Sequence, residues 1–219
     1  MAFPSSPSDG QIYKNYKYNS TKGAWIYEPY TSKITRTKYN ITDSNDVTVD
    51  LPDATNEVVE RTYFRTGSGS GKVLFSAYGS QTINGDSASV WYLEGEGIIK
   101  LVPAGGNWQV VEYNDKGSNS NGEWHKYIDG TLRQYGIGDD ITTSISIGNV
   151  YRNNRGITFP LAFYTTTGLV VICTPKETGN YILSISVYGL STTSFTAIVF
   201  GVLSNSHGEI HWEAIGKWK

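Results

Sequence analysis

A few places in this 219-residue chain gather residues that could act chemically. Tyr151, Arg152, Asn153, Asn154 and Arg155 place an aromatic ring, two amides and two guanidinium groups in five consecutive positions. Flat rings take up sugar C–H groups, while amides and guanidinium groups hydrogen-bond in fixed planar geometry to hydroxyls or carboxylates. The stretch therefore suits a polyhydroxylated or acidic ligand, presented on a loop between strands, where binding residues concentrate. Asn-Asn-Arg-Gly is also good chemistry for a solvated turn. Tyr188 and His207 are secondary candidates. His207, Glu209 and His211 alternate, so on one strand their side chains share a face; a metal, a receptor contact and a plain surface are all readings of that spacing, and no metal is assigned.

The remaining constellations fail on spacing. Gly67-Ser-Gly-Ser-Gly71-Lys72 invites a phosphate-loop reading, but Val73 stands where a hydroxyl residue would hold magnesium and no strand-loop-helix frame surrounds it. A flexible hairpin loop is expected instead. Glu94 and Glu96 lie among glycines, whereas glycosidic cleavage needs two carboxylates held across a sugar cleft; they read as solvated turn charges. The acidic run Asp43 to Asp46 lacks the glycine and distal glutamate of a calcium loop. Cys173, the single cysteine, sits in the apolar run Leu169 to Thr174 and reads as a small core residue. No nucleophile has a recognisable motif, so neither an enzyme nor a cofactor is expected.

The elements that must position such residues are strands. Gly (24 residues) and Tyr (16) are abundant and Met occurs once, strand and turn formers dominate, and no run keeps helical periodicity for three turns. The class is all-β. A net charge of -2 with interspersed signs leaves no basic stripe for nucleic acid. The start lacks the basic and apolar regions of a signal peptide, no run approaches the ~18 apolar residues of a membrane span, and the chain reads as made in a cytoplasm and soluble, without membrane insertion. The acceptor patterns at Asn19 and Asn40 are then chance matches.

In chain order, residues 1–30 read as an aromatic hairpin, with Ile12, Tyr13, Tyr16 and Tyr18 before a turn and Trp25, Ile26 and Tyr27 after it, too small to be stable alone. Residues 31–114 carry six or seven short strands with turns at sandwich-like or prism-like spacing. The polar break Tyr113 to Ser120 then leads to a terminal unit, 119–219. Asp129-Gly130 marks a two-residue hairpin turn at its start. In Tyr181 to Val187, Tyr181, Leu183, Ile185 and Val187 share a core face, and Ile182, Ser184 and Ser186 share a smaller one suited to a sandwich strand or a subunit interface.

Three motifs then resemble known proteins. The opening N-G-x-W-x-K-Y-x-D-G-x-L-x-Q-Y-G at Asn121 to Gly136, the middle Ile157-Thr-Phe-Pro160 and the closing Trp212-Glu-Ala-Ile-Gly216 resemble the C-terminal domain at the tips of bacteriophage tail fibres, related in shape to the H-type lectin sandwich. V-x-V-x-L-P-D-A-T-N, I-N-G-D-S and L-V-P-x-G-G-N-W-Q-V-V, in the middle block, are similar to a fibre-shaft module. F-P-x-x-P-x-D-G-Q-x-Y with a later G-A-W resembles short attachment modules of phage tail proteins. The resemblance implies an intertwined homotrimer in the virion tail. The N-terminal region would join other tail or baseplate proteins, and the lectin-like tip would adhere to host surface polysaccharide or lipopolysaccharide through Tyr151 to Arg155, Tyr188 and His207. Two rivals are a baseplate or adaptor component that binds no receptor, and a capsule depolymerase, for which the chain is short.

Overall fold

A computed structural model describes residues 45–57, 59–66, 71–86, 90–177 and 182–219, together with the backbone of four strands nearer the N-terminus. Those four are β1 (Ile12–Tyr13), β2 (Tyr16–Asn19), β3 (Ala24–Tyr27) and β4 (Thr35–Tyr39). β1, β2 and β3 form a small antiparallel sheet in which Tyr18 opposes Trp25, the hairpin expected from the aromatic clusters. The remaining N-terminal motif residues, both glycosylation-like patterns beyond Asn19, the phosphate-loop candidate at 67–70, Asp43 and Tyr181 lie outside the described residues.

Next come β5 (Val47–Asp50), β6 (Arg61–Arg65), β7 (Val73–Ser76), β8 (Tyr92–Leu93), β9 (Glu96–Ala104), β10 (Asn107–Asn119) and β11 (Gly122–Tyr127). The chain continues with β12 (Thr131–Thr142), β13 (Ile145–Ile147), β14 (Val150–Thr158), β15 (Val170–Glu177), β16 (Leu183–Tyr188), β17 (Ser194–Gly201) and β18 (His207–Lys217). The protein is all-β, as the composition dictates.

Turn chemistry explains several corners. Asn84 and Gly85 both have positive φ (54° and 82°), as a type I′ turn demands, and Ile83 and Asp86 exchange backbone hydrogen bonds around them. At Asp129-Gly130 the loop holds three residues rather than two. Gly130, at φ 82°, donates to the Tyr127 carbonyl, and Asp129 Oδ1 accepts from Thr131 N, the pattern of a type I turn closed by a left-handed glycine.

The largest sheet runs β15-β18-β12-β11-β10-β9-β6-β4. It crosses the stretch Tyr113 to Ser120, which is strand and not a loose polar break. Asp115, Lys116 and Gly117 are paired to Lys126, His125 and Trp124 on one side, and Asp115 and Lys116 to Gly97 and Glu96 on the other. The polar residues are there because strand pairing satisfies their backbone while their side chains stay outside or form ion pairs; Gly117 is required because a Cβ would sit 2.4 Å from the Trp124 ring.

One core runs through this crossing, and Trp218, just after β18, meets the rings of Trp91 and Tyr113 at centroid separations of 5.5 and 5.3 Å. In the middle block, Trp91, Trp108, Phe75, Leu93, Ile99 and Leu101 are fully buried, and the Trp108 indole donates to the Pro52 carbonyl. In the terminal unit the sheet β13-β14-β17-β16 lies over β12, β18 and β15, with β14 facing β12 and β16 facing β15. Phe159, Phe163, Phe195 and Trp212 meet edge-on or tilted between these layers, at centroid separations of 5.0 to 5.9 Å. Trp124 and Trp212 are buried, as structural residues should be. Cys173 is half-buried between the layers, and burial pushes its thiol up to about 11.

Candidate functional site

Tyr151 to Arg155 lie within β14, in the interior of the smaller sheet and not on a loop. Each residue of this run opposes one on β17, from Tyr151 against Gly201 to Arg155 against Ala197. The turn-like Asn-Asn chemistry survives only as a local bond from Asn154 N to Asn153 Oδ1; pairing with β17 decides the backbone. Alternation then divides the five residues. Tyr151, Asn153 and Arg155 share a face with the buried Ala197 and Val199, towards β12: Asn153 Nδ2 donates to the Thr142 carbonyl at 2.8 Å, and Arg155 pairs with Asp139.

Arg152 and Asn154 take the opposite, outer face. They oppose Phe200 and Ile198, which in turn oppose Ser184 and Ser186 of β16. Tyr188, 56% exposed, stands on the same face beyond Thr196. The structure thus brings together Arg152, Asn154 and Tyr188 across a shallow surface of serines and half-buried apolar side chains. His207 opens β18 in the other sheet and does not join them. Farther along β18, the Glu209 carboxylate receives Lys176 Nζ at 3.0 Å and faces His211 Nε2 at 3.4 Å, and these contacts hold it below the usual carboxylate range. No cluster of three or more metal-ligating side chains occurs among the described residues.

Two further features were not foreseen. The outer side of the larger sheet carries a cleft of about 980 Å³ lined by Tyr135, Arg133, His211 and the β10–β11 hairpin tip. A second cleft, of about 680 Å³, lies on the other side of that hairpin, between Gly95, Lys116 and Leu161. Their signal in the sequence is the Asn-, Ser- and Gly-rich tip at 118–122, whose composition resembles a linker's.

Glu94 is the other surprise. Its carboxylate is no solvated turn charge: it holds Lys126 Nζ at 2.9 Å and Lys72 Nζ at 3.2 Å. Lys126 is 1% exposed, reaches Asp115 Oδ2 at 3.2 Å and lies over the Tyr92 ring at 4.2 Å. Asp115, itself fully buried, also accepts from the backbone N–H groups of Glu94 and Gly95. Burial alone would raise the Glu94 carboxyl, but Lys126 and Lys72 outweigh it and hold the group below its ordinary value; burial alone would lower the Lys126 ammonium, but Asp115 and Glu94 raise it. This cluster lies beside the point where Trp218 meets the middle block, with Lys126 Nζ 5.8 Å from its ring.

Residues 126–217 match the family model of the C-terminal domain of gp53-like tail fiber proteins. The terminal sandwich is therefore similar to the C-terminal domain of these tail fiber proteins, and the match covers less than half of the chain. Similar solved structures are an N-truncated R1-type pyocin tail fiber (22% identity, 46% of this chain and 84% of that one, TM-score 0.36) and an N-truncated R2-type pyocin tail fiber (22%, 47% and 37%, TM-score 0.32). A C-terminal fragment of the P. aeruginosa R1 pyocin fiber matches 92% of this chain and 74% of its own at 11% identity and TM-score 0.37. No curated protein matches the chain.

Proposed function

We propose that the chain is a phage tail-fibre protein that adheres, as a homotrimer, to a glycan on the host bacterial surface, by binding alone and without cleaving it. The observation that carries the reading is the tip sandwich matched at 126–217, whose smaller sheet presents Arg152, Asn154 and Tyr188 together on its outer face. A guanidinium, an amide and an exposed ring on a rigid sheet are the groups that a hydroxyl-rich or acidic sugar requires. Single contacts of this kind are weak; three copies per fibre and several fibres per particle multiply them. The middle block spaces the tip, and the N-terminal strands join other tail or baseplate proteins.

The test is adsorption of fluorescently labelled protein to host cells, with molar mass by light scattering and a reducing-sugar assay on host polysaccharide alongside. The reading expects a trimer that adsorbs and releases no sugar. Arg152→Ala combined with Tyr188→Ala should cut adsorption at least tenfold with melting temperature unchanged. A monomer at micromolar concentration refutes the trimer, binding to tail proteins but not to cells supports an adaptor, and released sugar makes the protein a depolymerase.

A further inference from the structure

We propose that the two clefts flanking the β10–β11 hairpin form one binding trough for a neutral oligosaccharide, distinct from the Arg152, Asn154 and Tyr188 surface; the proposal rests on the adhesive reading above. Both clefts are lined by Ser118, Asn119, Glu123 and Tyr135, so they adjoin across the hairpin tip. Their volumes, about 980 and 680 Å³, fall in the range of roughly 300–1,000 Å³ of small-molecule sites.

The polar groups of the trough are already held in place. Tyr135 is 43% exposed, and its hydroxyl donates to Glu123 Oε2 at 2.7 Å, which fixes the ring plane on the sheet as a platform for a sugar face. Beside it Arg133 Nε is bound to Glu213 Oε1, a planar pair with further donors and acceptors on both partners. Asn119 is anchored by its Nδ2 on the Pro160 carbonyl. Such preorganisation lowers the ordering cost of binding.

An independent observation is the indole of Trp124. The residue lines the second cleft and is 7% exposed, yet its Nε1 is a buried donor with no acceptor among the described residues. A buried donor left unpaired costs about 1–3 kcal/mol. A sugar oxygen entering between Gly117 and Leu161 supplies the missing acceptor. Trp124 therefore keeps its structural ring while its one polar atom serves the ligand.

Charge selects the class of sugar. Glu94 is neutralised by Lys126 and Lys72, and among the remaining lining residues Glu96, Glu123 and Glu213 outnumber Lys116 and Arg133. Arg133 is taken by Glu213. A phosphorylated or uronate-rich chain would meet net negative potential here, whereas hydroxyl and acetamido groups find both donors and acceptors.

The experiment uses the full chain on an array of immobilised bacterial surface polysaccharides, neutral and acidic, with ¹⁵N-indole spectra recorded during titration with a neutral oligosaccharide from a retained spot. Retention on neutral spots, a shift of the Trp124 indole resonance, and at least a tenfold loss of retention in Tyr135→Ala with unchanged melting temperature and molar mass are expected. Tyr78→Ala, at a more exposed tyrosine in the middle block, should retain full binding. Retention on acidic spots only, a still Trp124 resonance, or full retention by Tyr135→Ala overturns the trough while leaving the adhesive reading intact. Loss of oligomer mass in Tyr135→Ala overturns it in favour of a subunit contact. Intact protein that binds neither array nor cells overturns both.

Discussion

Replacing Lys126 by Met isolates the buried ion cluster that links β11 to β10 and to Glu94. The ammonium is buried between Asp115 and Glu94, and Asp115 is fully buried with two backbone donors already on its Oδ1. Methionine keeps the volume and the contact with the Tyr92 ring but leaves two carboxylates without their shared cation. Removing one partner of a buried pair costs about 3–5 kcal/mol, because the other charge remains buried and uncompensated; Lys72 on Glu94 and the nearby Arg65 place the expectation at the lower end, about 3 kcal/mol. Urea unfolding at pH 7 measures it as a lower midpoint with unchanged slope. The pH dependence supplies a second reading. In the parent, Glu94 titrates below its unfolded value, so its contribution is present above the unfolded carboxylate range near about 4.3 and is lost as pH falls through the folded value; Lys126, raised, contributes fully below about 10.4 and loses that contribution as pH rises through its folded value. In Lys126→Met the Glu94 carboxylate, having lost its first cation, is relieved by protonation, so the deficit against the parent should shrink as pH falls from 7 to 4. A loss under 1 kcal/mol, or a deficit that grows on acidification, would refute the argument.

The fragment 119–219 retains the Phe159, Phe195 and Trp212 core and should be soluble and β-rich. It should melt below the intact chain, since β11 loses β10 and Lys126 loses Asp115 and Glu94; a fragment soluble only with 31–112 attached would show that the tip is not an independent unit. Trp212→Ala should cost about 3–5 kcal/mol, read by thermal or urea unfolding, because the indole packs on Phe159 and Phe195 and the resulting cavity cannot collapse onto the paired glycine at 136. Unchanged stability with lost cell binding would make that tryptophan a ligand contact instead.

Much of the architecture was legible because its signals are local. Asn84-Gly85 names its turn by the φ angles it needs, and Leu183, Ile185 and Val187 turn to one side while Ser184 and Ser186 turn to the other, as alternation requires. What stayed hidden depends on partners distant in sequence. Tyr151 to Arg155 carry loop-like residues, yet β17 arrives some 45 positions later and pairs them into a strand. Glu94 looks like a surface charge until Lys126, brought across β9, β10 and β11, buries it. The stretch 113–120 has a linker's composition because its side chains face water or an ion pair; composition reports side chains, and its backbone bonds are invisible there.

The uninterrupted crossing of β10 also has a mechanical meaning. This strand holds 13 residues, about 40 Å at strand rise, and is laddered to a neighbour on each side where a polar break between units was expected. A tip mounted in this way transmits torque and does not swivel. Tension applied to the terminal unit would load many hydrogen-bond rungs of β10 together.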